Sequence, residues 1–307
     1  MKLSQLTTEK RNPNSMNLDQ MPVLEILKTI NEEDKRVALA VQEVLPQVAL
    51  AVEEISYALG NGGRLFYVGA GTSGRLGVMD ASECPPTFMT PPELVQTVMA
   101  GGTDAFFQAV EGSEDDEGQG GRDLLERNLT ARDVVVGITA SGRTPYPIGA
   151  LKQARKIGAY TISLSCNGQS EISKFADCAI EVIVGPEVLT GSTRMKAATA
   201  HKMILNMIST ASMVKMGKVY ENLMVDVNAS NYKLMERAKR TVIEVTGISY
   251  EKAEDVLIQT GYEVKPAIVM LQTGSELEEA KDAISRSGGY VRQAVDSLSG
   301  SSKGEQH

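Results

Sequence analysis

Apolar residues change their spacing twice along the chain. From Pro22 to Leu59 they recur at intervals of three and four, with Val41, Val44, Leu45, Val48, Ala51 and Val52 on one stripe. That period predicts an amphipathic helical segment, which Gly60, Gly62 and Gly63 end. Beyond it come short apolar runs, each followed by glycine or serine: RLFYVG (64–69), LVQTVMA (94–100), DVVVGITA (133–140), AYTISLS (159–165) and AIEVIVG (179–185). Helix-length segments such as Tyr146 to Ile157 lie between them. Buried β-branched runs alternating with helices predict an α/β domain, a five-stranded parallel sheet flanked by helices, whose ligands sit at the carboxyl ends of the strands. After about residue 218 the strand runs stop, and YEKAEDVLIQTG, VKPAIVMLQTG and ELEEAKDAISRSGG read as three short helices, each closed by glycine. The expected division is an N-terminal tail and helices over 1–54, the sheet domain over 55–218 and a small helical module over 219–307. Residues 1 to about 20, polar and carrying Pro13, and the final SSKGEQH are expected to have little structure of their own.

Composition narrows the partners. Acidic residues outnumber basic ones 39 to 31, a formal net charge of -8, with no Lys/Arg cluster, which argues against nucleic acid and anionic membrane. Cys84, Cys166 and Cys178 form no CxxC, and the histidines are His201 and His307, so neither a disulfide framework nor a metal site is expected. The opening MKLSQLTTEK lacks the apolar core of a secretory signal, and the apolar stretch from Ala197 to Met216 is interrupted by His201, Lys202, Asn206 and Lys215. A cytoplasmic protein is the expectation.

The candidate chemistry begins at GAGTSG (69–74), a match to the Gly-x-Gly-x-x-Gly turn of dinucleotide-binding enzymes. A dinucleotide site also needs an acid at the tip of the second strand to hold ribose hydroxyls. Here LVQTVMA ends in Gly101-Gly102-Thr103, with Glu93 before the strand and Asp104 well past its tip. Gly71, Thr72 and Ser73 offer instead backbone amides and hydroxyls, which suit a terminal phosphate. The third strand ends in a second loop of this kind, Ser141, Gly142, Arg143 and Thr144, and the two are expected to converge on one phosphate of a small-molecule partner. Ser192, in a third such segment, is read as a helix cap. Arg75 and Arg143 flank the loops and are read either as anion ligands or as partners of nearby acids. His201 reads as a structural core residue, with a catalytic role as its minor alternative, and Cys84 as buried packing.

The run GAGTSGRLGVMDASECPPT, together with VEGSEDDEG, TASGRTPYPIGAL and TGSTRMKAATAHK, resembles the N-acetylmuramic acid 6-phosphate etherases, a bacterial family built on the sugar isomerase (SIS) domain. The likeness extends from TEKRNPNS to the C-terminal helices, and ASECPPT is its specific part. It implies an SIS-type sandwich with helical additions at both ends, no cofactor, and a homodimer with its site near the subunit interface. The implied reaction cleaves the lactyl ether of N-acetylmuramic acid 6-phosphate with water, in amino sugar catabolism and cell-wall recycling. The sugar opens to its aldehyde, carbon 2 loses a proton, lactate leaves carbon 3 and water adds across the double bond. Such a route needs a base and an acid that exchange roles. By motif match Glu83 of ASECPP is the proton donor and Glu114 the second functional glutamate, assigned the base role. Cys84-Pro85-Pro86 is expected to reverse the chain and turn Glu83 back toward the site. Spacing alone does not separate Glu114 from Glu111, Asp115, Asp116 and Glu117, and Glu111 is the fallback. Two other readings share the phosphate loops: an aldose-ketose phosphosugar isomerase, and a non-catalytic sugar-phosphate sensor that dispenses with the glutamates.

Overall fold

The structure, a computed structural model, describes residues 6–108, 110–227, 229 and 231–301; His307 and the end of the C-terminal tail lie outside them. The chain divides into two compact units, one of Met1–Ser82 with Pro92–Thr210, the other of Glu83–Pro91 with Ala211–His307.

In the first unit all five apolar runs form strands: β1 (Leu65–Gly69), β2 (Val95–Met99), β3 (Val134–Thr139), β4 (Tyr160–Ser165) and β5 (Cys178–Glu181). They pair in parallel in the order β2-β1-β3-β4-β5. β5 is shorter than its apolar run and stops at Glu181, whose carboxylate accepts from the Gln169 and Ser170 amides. On one face Phe66, Val68 and Val135 pack with Leu124 of α5 (Glu117–Glu126) and with Tyr146, Ile148, Leu151 and Ala154 of α6 (Pro145–Ile157). Each such aliphatic or aromatic side chain contributes about 1.5–3 kcal/mol by leaving water.

The N-terminal apolar stripe is two helices, α1 (Val23–Glu43) and α2 (Leu45–Gly60). The break falls at Val44 because Pro46, in the first turn of α2, has no N–H to continue α1. Residues 6–20 depart from the expected loose tail. They form 3-10 turns at Thr7–Glu9, Pro13–Ser15 and Leu18–Gln20, with Leu6, Thr8, Asn12 and Ser15 buried. The polar side chains that made this stretch read as a tail are the ones that anchor it: Asn12 Nδ2 donates to the Pro186 carbonyl and Ser15 Oγ to the Val188 carbonyl.

α3 runs from Gly71 to Phe88 and includes Pro85 and Pro86. The expected chain reversal after Glu83 does not occur; Glu83 stays helical and solvent-exposed. The first unit also holds α4 (Asp104–Phe107), 3-10 turns at Ser113–Asp115 and Ile172–Phe175, and α7 (Lys196–Lys215), which continues into the second unit. That second unit adds a small antiparallel hairpin, β6 (Val219–Tyr220) and β7 (Leu223–Met224), which two-residue strands left no pattern to reveal. The three predicted short helices are α9 (Tyr250–Gln259), α10 (Val264–Thr273) and α11 (Leu277–Arg286), joined by α8 (Tyr232–Thr246) and α12 (Val291–Ser301). Their shared core includes Val242, Leu257, Ile268, Val291 and Ala294.

Candidate functional site

From β1 the chain steps to β2 on one side, and from β3 to β4 on the other, so the strand order reverses between β1 and β3. A crevice opens at the carboxyl ends of the strands at such a switch point. The loops that leave these two neighbouring strands carry Gly71, Thr72 and Ser73 on one side and Ser141, Gly142, Arg143 and Thr144 on the other. The sheet therefore brings together the two hydroxyl loops that the sequence singles out.

Each loop has a local cause. Gly74 packs against β1 so closely that a Cβ there would lie 2.8 Å from the Gly69 carbonyl oxygen, which lets α3 start directly above the strand. Gly71 has φ +53° and open space where a side chain would stand. In the second loop Thr144 occupies the N-cap position of α6, yet its hydroxyl does not cap the helix. It meets Thr139 Oγ1 at 2.8 Å, and Thr139 Oγ1 in turn meets Ser141 Oγ at 3.2 Å. Ser141 Oγ also accepts from the Arg143 amide at 3.1 Å. Pro145 and Pro147 bring no N–H to the first turn of α6, so the donors this loop offers are its own amides and hydroxyls, with Tyr146 the one first-turn amide.

The third segment differs for an electrostatic reason. The N-terminus of α7 already holds an internal anion: Glu187, fully buried, accepts from the Lys196 and Ala197 amides at 3.0 and 2.9 Å. Ser192 stands four residues before α7, and the carboxylate of Glu187 caps the helix in place of the hydroxyl that the sequence suggests. Glu187 carried no local sequence signal, since it lies nine residues before the amides it accepts from.

His201, on α7, is 1% exposed. Its Nδ1 lies 3.5 Å from Ser73 Oγ and its Nε2 3.4 Å from Cys166 Sγ. Burial pulls its pKa down to about 4, so the ring is neutral at neutral pH and supports Ser73 from below. Burial likewise pushes the Cys166 thiol up. Cys84 is buried, as expected of packing.

Arg75 takes neither role expected of it. Its Nε donates to the Phe106 carbonyl at 2.9 Å and its Nη2 to the Ala105 carbonyl at 2.8 Å, so it satisfies the end of α4. Arg143 is exposed and lines a cavity of about 280 Å³ with Lys152 and Lys174. Glu114 is exposed in the 3-10 turn Ser113–Asp115, whereas Glu111 lines a groove of about 790 Å³ with Gly101, Phe106, Phe107 and Asp116. Glu83 belongs to the other unit. No cluster of His, Cys, Asp and Glu among the described residues has the geometry of a metal site, and no helix among them is long and apolar enough to cross a membrane.

A parallel sheet with hydroxyl loops at its switch point defines an SIS-type protein. Residues 47–155 match the family model of the glucokinase regulatory protein N-terminal SIS domain, 117–211 the SIS domain, and 221–274 the C-terminal lid domain of glucokinase regulatory protein. Among solved structures, a phosphoheptose isomerase from Francisella tularensis covers 63% of this chain and all of its own at 18% identity, with a TM-score of 0.52, a likeness of fold alone. The N-acetylmuramic acid 6-phosphate etherase of Bacillus pumilus is 58% identical over 95% of this chain and 97% of that protein. Those of Bacillus subtilis and Salmonella choleraesuis are 56% and 54% identical, each over 96% of this chain. The chain belongs to the N-acetylmuramic acid 6-phosphate etherase family, as ASECPPT and its companion motifs predicted.

Proposed function

We propose that this protein is a carbon–oxygen lyase that cleaves the D-lactyl ether of N-acetylmuramic acid 6-phosphate with water, giving N-acetylglucosamine 6-phosphate and D-lactate. The near-full-length identity to proteins of that name carries the reading. The hydroxyl loops at the switch point support it, because they supply amides and hydroxyls for one terminal phosphate. An ether oxygen is a poor leaving group, so the proton at carbon 2, made acidic by the aldehyde of the opened sugar, is removed before lactate departs. Glu114 takes that proton and Glu83 protonates the departing oxygen; hydration reverses the roles, with water adding at carbon 3.

The working unit in this proposal is a homodimer. Val23, Leu24 and Leu27, all more than half exposed on α1, offer apolar surface for such pairing. The substrate class fits a cytoplasmic role in peptidoglycan recycling.

Incubation with N-acetylmuramic acid 6-phosphate in deuterated water tests the reaction. Lactate release with deuterium at carbon 2 of the product is expected, and absence of lactate refutes the proposal. Glu83→Gln is expected to bind substrate without releasing lactate; full activity in that variant removes Glu83 from its role.

A further inference from the structure

The N-terminal segment and the second hydroxyl loop meet at one buried side chain. Asn167, 2% exposed, follows β4 at the carboxyl edge of the sheet. Its Oδ1 accepts from the Thr7 amide at 2.6 Å. Its Nδ2 faces Thr8 Oγ1 at 3.1 Å and the Ala140 and Ser141 carbonyls at 3.0 and 3.4 Å. Every polar atom of the amide is thus engaged, with one end on the N-terminal segment and the other on the loop that begins at Ser141. Farther along, Asn12 and Ser15 bond the carbonyls of Pro186 and Val188, after β5. The segment therefore ties together the stretches that follow three neighbouring strands, β3, β4 and β5.

This arrangement is costly to order. A segment of isolated 3-10 turns gives up backbone entropy at each residue without the hydrogen-bond ladder of a helix or sheet in return. Besides the buried Leu6 side chain, the contacts that offset it run to Asn167 and to backbone carbonyls beyond the strands. We propose that residues Leu6–Ser15 are a positioning element of the phosphate site, and that Asn167 is the residue through which they hold the Ser141–Thr144 loop in register. The inference rests on the reading of that loop as a phosphate ligand. Asn167 touches no substrate in this proposal; it fixes the carbonyls of Ala140 and Ser141, so that the Ser141 hydroxyl and the amides beyond it keep their aim.

Two variants cut the link from opposite ends. Asn167→Asp keeps an acceptor for the Thr7 amide but loses the donor to Ala140 and Ser141. Thr7→Pro removes the N–H alone from the other end: Leu6 is already extended, at ψ 134°, and Thr7 is the first residue of its 3-10 turn, a position where proline fits. It is read against Thr7→Ala, which retains the N–H. Steady-state kinetics, competitive inhibition by inorganic phosphate and thermal unfolding are measured on each full-length variant, with Ser141→Ala alongside.

Both Asn167→Asp and Thr7→Pro are expected to raise KM and the phosphate inhibition constant about five- to tenfold, the worth of one buried hydrogen bond, while kcat stays within about twofold. A merely structural role would lower the unfolding temperature and leave the phosphate constant unchanged. Weakened phosphate inhibition in Ser141→Ala together with wild-type inhibition in Thr7→Pro overturns the inference, even where Asn167→Asp does not fold. Unchanged inhibition in Ser141→Ala overturns the phosphate-loop reading itself.

Discussion

At Gly142 a side chain is excluded twice over. The backbone has φ +72°, and a Cβ would lie 2.3 Å from Ser170 Cβ. Gly142→Ala therefore has to move the loop, and we expect a loss of about 2–4 kcal/mol in unfolding free energy together with a raised KM. Gly71→Ala is the informative contrast. There φ is +53° but nothing stands within 4 Å of the added methyl, so the folding cost is about 1–2 kcal/mol. The methyl would instead occupy the space in front of the loop, so KM rises out of proportion to stability. Chemical denaturation paired with KM for the two variants checks the difference; equal ratios of lost affinity to lost stability would contradict it. GAGTSG and SGRT disclosed the two loops that the sheet places side by side, because glycine and hydroxyl side chains at strand ends have a local meaning. Glu187 and Asn167 have none, since their roles are set by amides and carbonyls distant in the chain.

Among the elements, α3 is tied down by a carboxylate. Asp80, 4% exposed, accepts from the Tyr67 hydroxyl of β1 at 2.9 Å, and from Asn206 Nδ2 and Ser209 Oγ of α7 at 2.6 and 3.0 Å. Burial raises its pKa, against the lowering effect of those hydrogen bonds. Asp80→Ala removes an acceptor shared by three side chains and is expected to destabilise by about 2–4 kcal/mol, whereas Asp80→Asn retains an acceptor and costs about half as much. Urea unfolding of both variants tests this; equal midpoints would show that the network contributes nothing. Nothing local to Asp80 in the sequence says which neighbours it faces, because its partners on β1 and α7 are 13 to 129 residues away. Both prolines near the end of α3 were read as a reversal, yet the helix accommodates them in its final turns.

For the molecule as a whole, two buried groups tie stability to pH. Lys196 and Glu33, 1% and 3% exposed, pair at 2.5 Å between α7 and α1. Burial alone would push Glu33 up, but hydrogen bonds from Lys196, Asn14 and Asn12 outweigh it and hold the carboxyl at about 2, below its ordinary 4.5. Its contribution is therefore complete above pH 4.5 and is lost as the pH falls toward 2. His201, pulled by burial from 6.5 to about 4, acts in a higher window: the unfolded chain takes up its proton first, so stability falls as the pH drops from 6.5 to 4. Unfolding free energy measured from pH 7 to 2 should fall in both windows. Glu33→Gln should flatten the lower one and cost about 3–5 kcal/mol at neutral pH by leaving Lys196 buried without its counter-charge. A pH profile unchanged in that variant would rule the pair out as its source.

By itself the sequence determined five parallel strands, the helices between them, the two hydroxyl loops and the family. All of these are written in neighbouring residues, as apolar period, glycine placement and contiguous motifs. Only the tertiary structure decided that α7 begins on an internal carboxylate, that Arg75 closes α4, and that the polar N-terminal segment is anchored at the strand ends. These rest on contacts such as that of Thr7 with Asn167, 160 residues apart. A polar side chain reads the same in a sequence whether it faces water or satisfies a backbone carbonyl in the interior, and only the folded neighbourhood distinguishes the two.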